Sequence, residues 1–378
     1  MLTCMVGSMG RVLLNTVFLC LLLSSCVSTG VLDVDRVDVD GLSESSPKVE
    51  DVSYLVLKSS NGKMITNLSG IIYREGKYYL FDREQGLIMA YSQSGEELGY
   101  VNAVGHGPGE YAQPMSFDVD SEGNVYVADA SRKAIFEYRY GDFIFKKRID
   151  VGVGFVGLGV INENEFWIGS YFRKSSYDGK LAYFNVKSKE IVPICKPVVS
   201  GESSVSFGGG TFDFFRSDSL LFFYERFTPY VYRLKEKGIC SDTVMIVSDR
   251  LPNKKDLKEW VKNPYSQKKS DKIADLCTFL IERGNIYMAF SDKPRTRLWY
   301  RTGGENSARF SGIKDSRYYY LNNYFYTTDG ESLVSWCDLD MLRGLDENQR
   351  TPLVKEILSE TDSIGDKVNM VLLKYRFK

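Results

Sequence analysis

Short hydrophobic runs of five or six residues recur along the chain and alternate with tight polar turns. The clearest case is residues 105–138, GHGPGEYAQPMSFDVDSEGNVYVADASRKAIFEY. Residues 115–120 and 124–129 are two β-rich runs joined by the tripeptide SEG, which is a hairpin signal. Residues 134–138 give a third run and residues 143–149 a fourth. Four antiparallel strands in about 35 residues match the size of one propeller blade.

Two features of this unit recur six times along the chain. The first is a short run with an aromatic residue at its third position, and these aromatics are Tyr79, Tyr126, Trp167, Phe222, Tyr287 and Phe325. The second is an apolar run that ends in an aromatic residue, at Tyr91, Tyr138, Phe184, Tyr232, Tyr300 and Tyr375. Aromatic residues suit any half-buried strand, but a β-sandwich does not explain the repeated order. The pattern predicts an all-β fold, a six-bladed β-propeller of four-stranded antiparallel blades.

The sixth blade needs a strand from the start of the chain. Its first two runs are residues 317–321 and 323–328, and a long insertion over residues 329–367 precedes the last run, residues 368–377. The spare run is VSYLVLK, residues 52–58. We expect it to pair outside the last run, because closure of the ring removes an open sheet edge.

The first 25 residues have the pattern of a signal peptide. Arg11 precedes an apolar run over residues 12–23, which is too short to span a bilayer. The run ends in Leu23-Ser24-Ser25-Cys26, which resembles the lipobox of bacterial lipoproteins. The resemblance implies that Cys26 is lipidated and becomes the first residue; an ordinary signal peptide with an incidental cysteine is the alternative. Residues 26–49 are predicted to be a tether, and residues 50–378 a single propeller domain.

Charge and composition argue against several kinds of site. The chain has 48 basic and 49 acidic residues, so it lacks the basic footprint of a nucleic-acid-binding protein. It has a single histidine, His106, and its cysteines form no CxxC pair, so we expect no metal site. No cofactor is expected either. The four cysteines of the folded part are predicted to be buried free thiols.

The segments GHGPGEYAQP, FDVDSEGNVYVAD and AIFEY resemble the NHL-type repeat. With the lipobox, the early VEDVSYLVLK strand and the terminal VLLKYRFK, they make the chain similar to the six-bladed β-propeller lipoproteins of bacterial envelopes, a family mostly of unknown function. The resemblance implies a lipid-anchored protein of the cell envelope, with the outer membrane favoured and the side of the membrane left open. It implies no catalytic residue. Some NHL propellers bind protein or RNA, and the balanced charge gives no support for RNA.

Antiparallel blades put different links on the two faces of a propeller. Links from first to second strands, such as residues 75–76, 121–123 and 283–284, are short and share one face. Links from second to third strands and between blades share the other face. Several of these are long: residues 102–113, 170–180, 195–210, 248–274 and 329–367. Because function concentrates in loops on a rigid scaffold, we expect ligand binding on this long-loop face.

Two of the long insertions are predicted to contain helices. Leu257, Trp260 and Val261 share one helical face after an Asn253 cap. Leu353, Val354, Ile357 and Leu358 share another after Thr351 and Pro352, a capping residue with proline at the first helical position. We expect both apolar faces to pack on the propeller, with a lid over a pocket as the alternative.

Candidate ligand contacts follow from the preference of binding hot spots for aromatic and arginine side chains. They are His106, Glu110, Tyr111, Arg173, Trp260, Arg295 and Arg297. His106 and Glu110 could also form a general base oriented by a carboxylate, although a tight glycine-rich turn explains the same residues. Arg173, Arg295 and Arg297 are expected on links near the central channel.

Two classes of function remain open. The favoured one is a non-catalytic, membrane-tethered propeller that binds a glycan, a peptide or another envelope protein through the long-loop face. The alternative is a propeller enzyme, a lyase or a glycosidase, acting on extracytoplasmic polysaccharide. An acidic pair at the channel mouth would favour hydrolysis, whereas an aromatic and arginine-lined rim would favour binding.

Overall fold

The computed structural model describes residues 34–169, 180–195, 198–199, 214–238, 240–273, 276–293, 296–302, 307–313, 315–318, 321 and 324–378. Residues Asp35–Lys378 form one compact unit. In chain order, the strands are β1 (Val34–Asp38), β2 (Val49–Lys58), β3 (Gly70–Arg74), β4 (Lys77–Asp82), β5 (Leu87–Ser92), β6 (Glu97–Val101), β7 (Pro114–Val119), β8 (Val125–Asp129), β9 (Ala134–Tyr138), β10 (Phe145–Asp150), β11 (Gly157–Asn162), β12 (Glu165–Gly169), β13 (Leu181–Asn185), β14 (Glu190–Cys195), β15 (Phe214–Ser217), β16 (Leu220–Tyr224), β17 (Tyr230–Leu234), β18 (Cys240–Val247), β19 (Leu276–Glu282), β20 (Asn285–Lys293), β21 (Thr296–Thr302), β22 (Ala308–Phe310), β23 (Thr327–Thr328), β24 (Leu333–Cys337) and β25 (Val368–Phe377).

These strands form six sheets, which are the six blades. Blades 1 to 5 follow the chain from inner to outer strand, as β3–β6, β7–β10, β11–β14, β15–β18 and β19–β22. Blade 6 consists of β23, β24, β25 and β2. The predicted six-bladed propeller of four-stranded blades is therefore confirmed.

The hairpin between β7 and β8 shows why the repeated sequence folds in this way. Gly123 has a φ of 91°, which glycine adopts without the steric cost that a Cβ brings. The Asp120 carboxylate accepts hydrogen bonds from the backbone N–H groups of Glu122 and Asn124, each at 2.9 Å. The turn is thus fixed by its own residues, and the register places Phe117 opposite Val127.

The ring closes through the strand that the sequence predicts. β2 pairs antiparallel with β25, with Val52 opposite Tyr375 and Leu55 opposite Leu372. Val52, Val56 and Leu57 are buried. The first and last strands of the ring therefore share one blade, and the outer edge of β25 is covered.

The inner half of blade 6 differs from the prediction. The innermost strand is the two-residue β23, and the second strand is β24, which lies inside the segment predicted to be an insertion. Residues 317–318 are in a turn, and Tyr324 and Phe325 precede β23. The aromatic pattern fails here because the second strand carries aliphatic Leu333 and Val334, both fully buried, near its start. The true insertion is therefore residues 338–367.

The segment predicted to be a tether is partly built into the fold. β1 adds a fifth strand to the outer edge of blade 4, beside β18. Val37 and Val39 are buried, and the Val39 N–H donates to Val247 O at 3.0 Å. Further along, Ser45 N donates to Arg309 O of blade 5 at 3.0 Å. Residues 34–48, which we call the strap, therefore run along the outer edges of blades 4 and 5 before β2 begins.

The helices lie in the long links, as predicted. They are α1 (Lys254–Lys262), α2 (Pro264–Lys268), α3 (Leu339–Arg343) and α4 (Pro352–Ile364). Asn253 caps α1 with a capping box, and Thr351 caps α4 with proline at the first position. None of the helices among the described residues is long and apolar enough to cross a membrane.

The hydrophobic core lies mainly between neighbouring blades. One cluster joins Tyr126 and Ile135 of blade 2 to Leu158 and Phe166 of blade 3. Burial on both faces of each blade explains why the second and third strands are almost continuously apolar. The inner strands border the central channel, so the residues that project from them decide what the channel can hold.

Candidate ligand site in the central channel

A cavity of about 200 Å³ lies in the central channel. All six blades contribute to its wall, through Ile72, Phe117, Leu158, Phe215, Thr278 and Tyr326 in blade order. Ser69, Ser116 and Cys277 lie toward the long-loop ends of their inner strands, whereas Asp118 and Arg216 lie near the short-turn ends. The cavity therefore runs from the long-loop side down to an aspartate and an arginine.

Asp118 and Arg216 form a forked ion pair across the channel. Arg216 Nε donates to Asp118 Oδ1 at 2.7 Å, and Nη2 donates to Oδ2. Nη2 also donates to Val160 O at 3.0 Å. Asp118 is 2 % exposed and Arg216 is 7 % exposed, so the pair is well shielded from water. A bidentate arginine–carboxylate pair in such a place is geometrically specific and costly to break.

The Asp118 carboxylate has its acceptor positions filled. Beside the two bonds from Arg216, Oδ1 accepts from Val119 N at 2.9 Å and Oδ2 accepts from Val160 N at 2.7 Å. An ionised carboxylate offers about four lone-pair sites, and each is used here. Asp118 therefore holds Arg216 in place and joins blades 2, 3 and 4 at the channel.

A second arginine lies behind this pair. Arg74, at the end of β3, donates from Nη1 to Val119 O. Burial lowers the pKa of Arg74, and the positive charge of Arg216 lowers it further. The negative charges of Asp118 and Asp120 raise it in return. Two buried arginines and two buried aspartates thus balance one another at the short-turn end of the channel.

Aromatic side chains form much of the wall above the ion pair. Phe214, Phe215, Tyr324 and Tyr326 are each only half-buried. The rings of Tyr324 and Tyr326 meet edge to face, with centroids 4.5 Å apart. The Tyr324 hydroxyl lies 3.4 Å from Thr278 Oγ1, which is within hydrogen-bond distance. The wall therefore combines apolar ring faces with a few hydroxyl groups.

Glycines in blade 3 make room for Phe214. A Cβ on Gly157 would lie 2.7 Å from the Phe214 ring, and one on Gly169 would lie 2.9 Å from it. Real Cβ atoms do not approach carbon that closely, so these positions let the ring lie directly against the backbone. Glycine at 157 and 159 in an otherwise apolar strand is the sequence signal that could have indicated this close approach.

The structure places His106 and Glu110 in a turn on the long-loop face. His106 is exposed. The Glu110 carboxylate folds back and accepts from Gly107 N at 2.7 Å. Arg132 donates to Gly105 O at 2.9 Å and to Gly107 O at 3.3 Å, which fixes the turn from the other side. These contacts give Glu110 a role in shaping the turn.

Tyr111 and Trp260 are core residues, which corrects their choice as ligand contacts. Tyr111 is fully buried, and its hydroxyl donates to Gly86 O at 2.5 Å. Trp260 is 3 % exposed and packs with Leu257 and Phe227. A side chain enclosed in this way has no surface to offer a ligand. Large aromatic residues fill cores as readily as they form hot spots, and the sequence pattern alone did not separate the two roles.

Three arginines, at positions 173, 295 and 297, were predicted to lie near the central channel. Arg173 and Arg295 lie outside the described residues, as does Cys26. Arg297 is in strand β21, opposite Ser291, and not in the link where it was expected. Arg216 lines the channel, although nothing in the sequence singled it out. Its partner is 98 positions earlier in the chain, a separation that sequence patterns do not report.

Two buried aspartates hold the long loops that lead to the channel. Asp129 Oδ2 accepts from Ala112 N at 2.6 Å, and Asp82 Oδ2 accepts from Asn67 N at 2.8 Å. Burial raises the pKa of both carboxyls, but hydrogen bonds from backbone N–H groups, together with those from the Gln85 and Ser131 side chains, lower it by more. Both pKa values therefore lie below the ordinary range. Within the described residues, no group of His, Cys, Asp or Glu could hold a metal ion.

The fold and the channel define the class: this is a six-bladed β-propeller whose central cavity is walled by aromatic residues and ends at a buried ion pair. The sequence matches the family described as "Domain of unknown function (DUF4934)" over residues 31–376. The chain therefore belongs to that family. The match begins before residue 34, which agrees with a strap that is part of the folded unit.

Solved structures support the fold. A "Putative exported protein" from Bacteroides fragilis is similar with a TM-score of 0.72 and 16 % identity, covering 91 % of this chain and 99 % of that one. A member of the DUF4221 family from Bacteroides vulgatus has a TM-score of 0.48 and 11 % identity, covering 88 % and 99 %. Virginiamycin B lyase from Staphylococcus aureus has a TM-score of 0.41 and 10 % identity, covering 87 % and 100 %. The last two likenesses are too weak to carry an argument. No curated protein matches the sequence.

Proposed function

We propose that this protein is a non-catalytic binding propeller that takes part of a glycan, a peptide or an envelope protein into its central channel from the long-loop face. The observation that carries the proposal is the cavity itself. It has half-buried aromatic walls and a charged group at its end, which is the composition of a ligand pocket. A propeller needs only short turns to fold, so long loops around one end of the channel add to the argument.

The chemistry of the channel favours binding over hydrolysis. Among the described residues that line the cavity, Asp118 is the only carboxylate. Glycoside hydrolysis ordinarily needs two carboxyl groups, one of them free to give or take a proton. Asp118 is saturated by Arg216 and two backbone N–H groups, so it is poorly suited to that role. The hydrogen bonds of Asp118 suit a residue that orients Arg216.

The binding proposal is tested with the soluble body, residues 27–378, screened against glycan and peptide arrays. Hydrogen–deuterium exchange then locates the bound ligand. We expect protection of residues 69–72, 116–118 and 277–278, which contribute to the cavity. Protection confined to the short turns at residues 121–123 and 283–284 would place the site on the opposite face and refute the proposal. Turnover of a polysaccharide by the purified body would favour the enzyme alternative.

We further propose that the protein is exported and anchored by a lipid on Cys26. The support is the lipobox-like Leu23-Ser24-Ser25-Cys26 at the end of an apolar run. Because β1 begins at Val34, the link from Cys26 covers about 29 Å at most, which keeps the propeller close to the membrane. Mass spectrometry of the mature N-terminus is the test. A diacylated or triacylated cysteine is expected, and cleavage at another site with an unmodified Cys26 would contradict it.

A further inference from the structure

We propose that the group held in the channel is a neutral saccharide residue, bound through an oxygen that accepts a hydrogen bond from Arg216 Nη1. This inference rests on the proposed binding function and names the chemistry of its ligand. It follows from four properties of the site: the donor that is left over, the absence of a spare acceptor on Asp118, the balance of charge and the shape of the walls.

The leftover donor is the Nη1 group of Arg216. Nε and Nη2 of this guanidinium donate to Asp118 and to Val160 O. Nη1 has no acceptor among the described residues, although Arg216 lines the cavity and is 7 % exposed. A nearly buried cationic donor gains more from a fixed acceptor than a surface donor does, because few waters can reach it. A ligand oxygen at this position would complete the set of hydrogen bonds.

The ion pair at the end of the cavity offers donors and no free acceptor. Asp118 already accepts four hydrogen bonds. The Ser116 hydroxyl donates to Val156 O at 2.7 Å, which leaves its oxygen as a weaker acceptor. The ligand group that reaches Arg216 must therefore bring the acceptor, as a carbonyl, ether or hydroxyl oxygen does.

The charge around the cavity indicates that this acceptor is neutral. Arg216 and Arg74 are matched by Asp118 and Asp120, and all four side chains are buried. A ligand carboxylate would add a fifth buried charge without a counter-ion, and burying an unpaired charge is costly. A hydroxyl, ring or acetamido oxygen adds none. The site therefore favours neutral sugars over uronic acids.

The walls suit a sugar ring in size and surface. A cavity of about 200 Å³ is smaller than the 300–1,000 Å³ typical of pockets for drug-sized ligands, so it admits a single ring or a comparable group. Phe214, Phe215 and Tyr326 offer aromatic faces to the C–H groups of such a ring. Longer glycans would extend from the channel toward the loops of the long-loop face.

The test is a titration of the soluble body with glucose, galactose, mannose and N-acetylglucosamine, followed by saturation-transfer NMR and calorimetry. Glucuronate and galacturonate serve as the acidic counterparts. We expect at least one neutral sugar to bind and its acidic counterpart to bind at least about tenfold more weakly. Arg216→Lys keeps the positive charge but loses the forked geometry, so it should lower affinity for the neutral sugar by about ten- to a hundredfold. Arg139→Lys, at an exposed ion pair in the turn between β9 and β10, is the matched control and should bind as the parent does.

Each outcome decides the question. Tighter binding of a uronate, no binding of any neutral sugar up to about 50 mM, or neutral binding unchanged by Arg216→Lys overturns the inference. If Arg216→Lys does not melt cooperatively, the double variant Arg216→Met/Asp118→Asn replaces it. It removes both buried charges together, and the amide oxygen at position 118 can still accept from the backbone N–H groups that Asp118 pairs. That variant should fold and lose sugar binding.

A peptide that binds in the channel would refute the saccharide assignment while leaving the binding function intact. A failure of every glycan and peptide to bind would refute both.

Discussion

Trp167 is a large aromatic residue of the kind that can bind a ligand, but in this protein it is part of the hydrophobic core. It is fully buried in β12, and its Nε1 donates to Lys235 O at 3.0 Å across to blade 4. The sequence placed it correctly, because it occupies the same position in its blade as Tyr79 and Tyr126, which are also buried. The repeat therefore predicts which aromatic residues fill the core when the strand itself is correctly assigned.

Trp167→Ala is expected to lower the free energy of unfolding by about 3–5 kcal/mol, through lost contacts and a cavity between blades 3 and 4. Urea denaturation followed by circular dichroism measures the change. The control is Tyr265→Ala, which removes a side chain in α2 that is 73 % exposed and should change stability by less than about 0.5 kcal/mol. Equal effects of the two substitutions would show that the burial assigned to Trp167 is wrong.

Glu282 makes the stability of the folded protein depend on pH. Burial raises its pKa from 4.5 to about 7. Between these values the unfolded chain releases the proton while the folded protein still holds it. The contribution of Glu282 to folding is therefore complete below about pH 4.5 and is lost as the pH rises through about 7.

Glu282→Gln imitates the protonated side chain and should remove this dependence. The fall in melting temperature from pH 5 to pH 8 is expected to be smaller in the variant than in the parent, as measured by calorimetry at both values. Glu163→Gln, at an exposed position in a short turn, should keep the parental slope. An identical slope in Glu282→Gln would mean that Glu282 is already ionised in the folded protein at pH 5.

At the scale of elements, the sequence predicted most strands because their turns are local. The hairpin around Gly123 and the caps at Asn253 and Thr351 depend on residues within four positions of one another. β24 was missed because it carries no aromatic residue at the repeat position and pairs with only two residues of β23. β1 was missed because its acidic residues suggested a tether, although Val37 and Val39 alternate with acidic residues as in an edge strand.

Deleting residues 51–58 should unfold the protein or make it aggregate. The deletion exposes the outer edge of β25 and removes Val52, Val56 and Leu57 from the core. Each of these side chains contributes about 1.5–3 kcal/mol against a total stability of about 5–15 kcal/mol. Thermal denaturation of the purified variant is the measurement.

The control for this deletion is removal of residues 27–33, which precede β1 and should leave the melting curve unchanged. Removal of residues 27–48 should have an intermediate effect, because the strap buries Val37 and Val39 but closes no blade. A cooperative and undiminished melt after deletion of residues 51–58 would contradict ring closure by β2.

At the scale of the whole molecule, the propeller brings residues from six blades to one channel. Which residues meet there could not be predicted from the sequence. The long links share one face of the propeller, as predicted, because successive strands of a blade are antiparallel. The residues that line the channel were not predicted, since Asp118, Arg216 and Tyr326 meet only when the ring is closed. Tyr111 and Trp260 were predicted as ligand contacts only because they are aromatic residues in loops, and the structure shows that both are buried.

Cys277 offers the most direct test that the channel is the ligand site. It lines the cavity, is half-buried and forms no disulfide, while Cys195 and Cys337 are buried. In the soluble body carrying Cys240→Ser, the rate at which N-ethylmaleimide modifies Cys277 is measured by mass spectrometry at increasing concentrations of a ligand found by the screen. We predict that the rate falls along the binding curve and that the modified protein no longer binds the ligand. Saturating ligand that leaves the rate unchanged, with full binding after modification, would contradict the account.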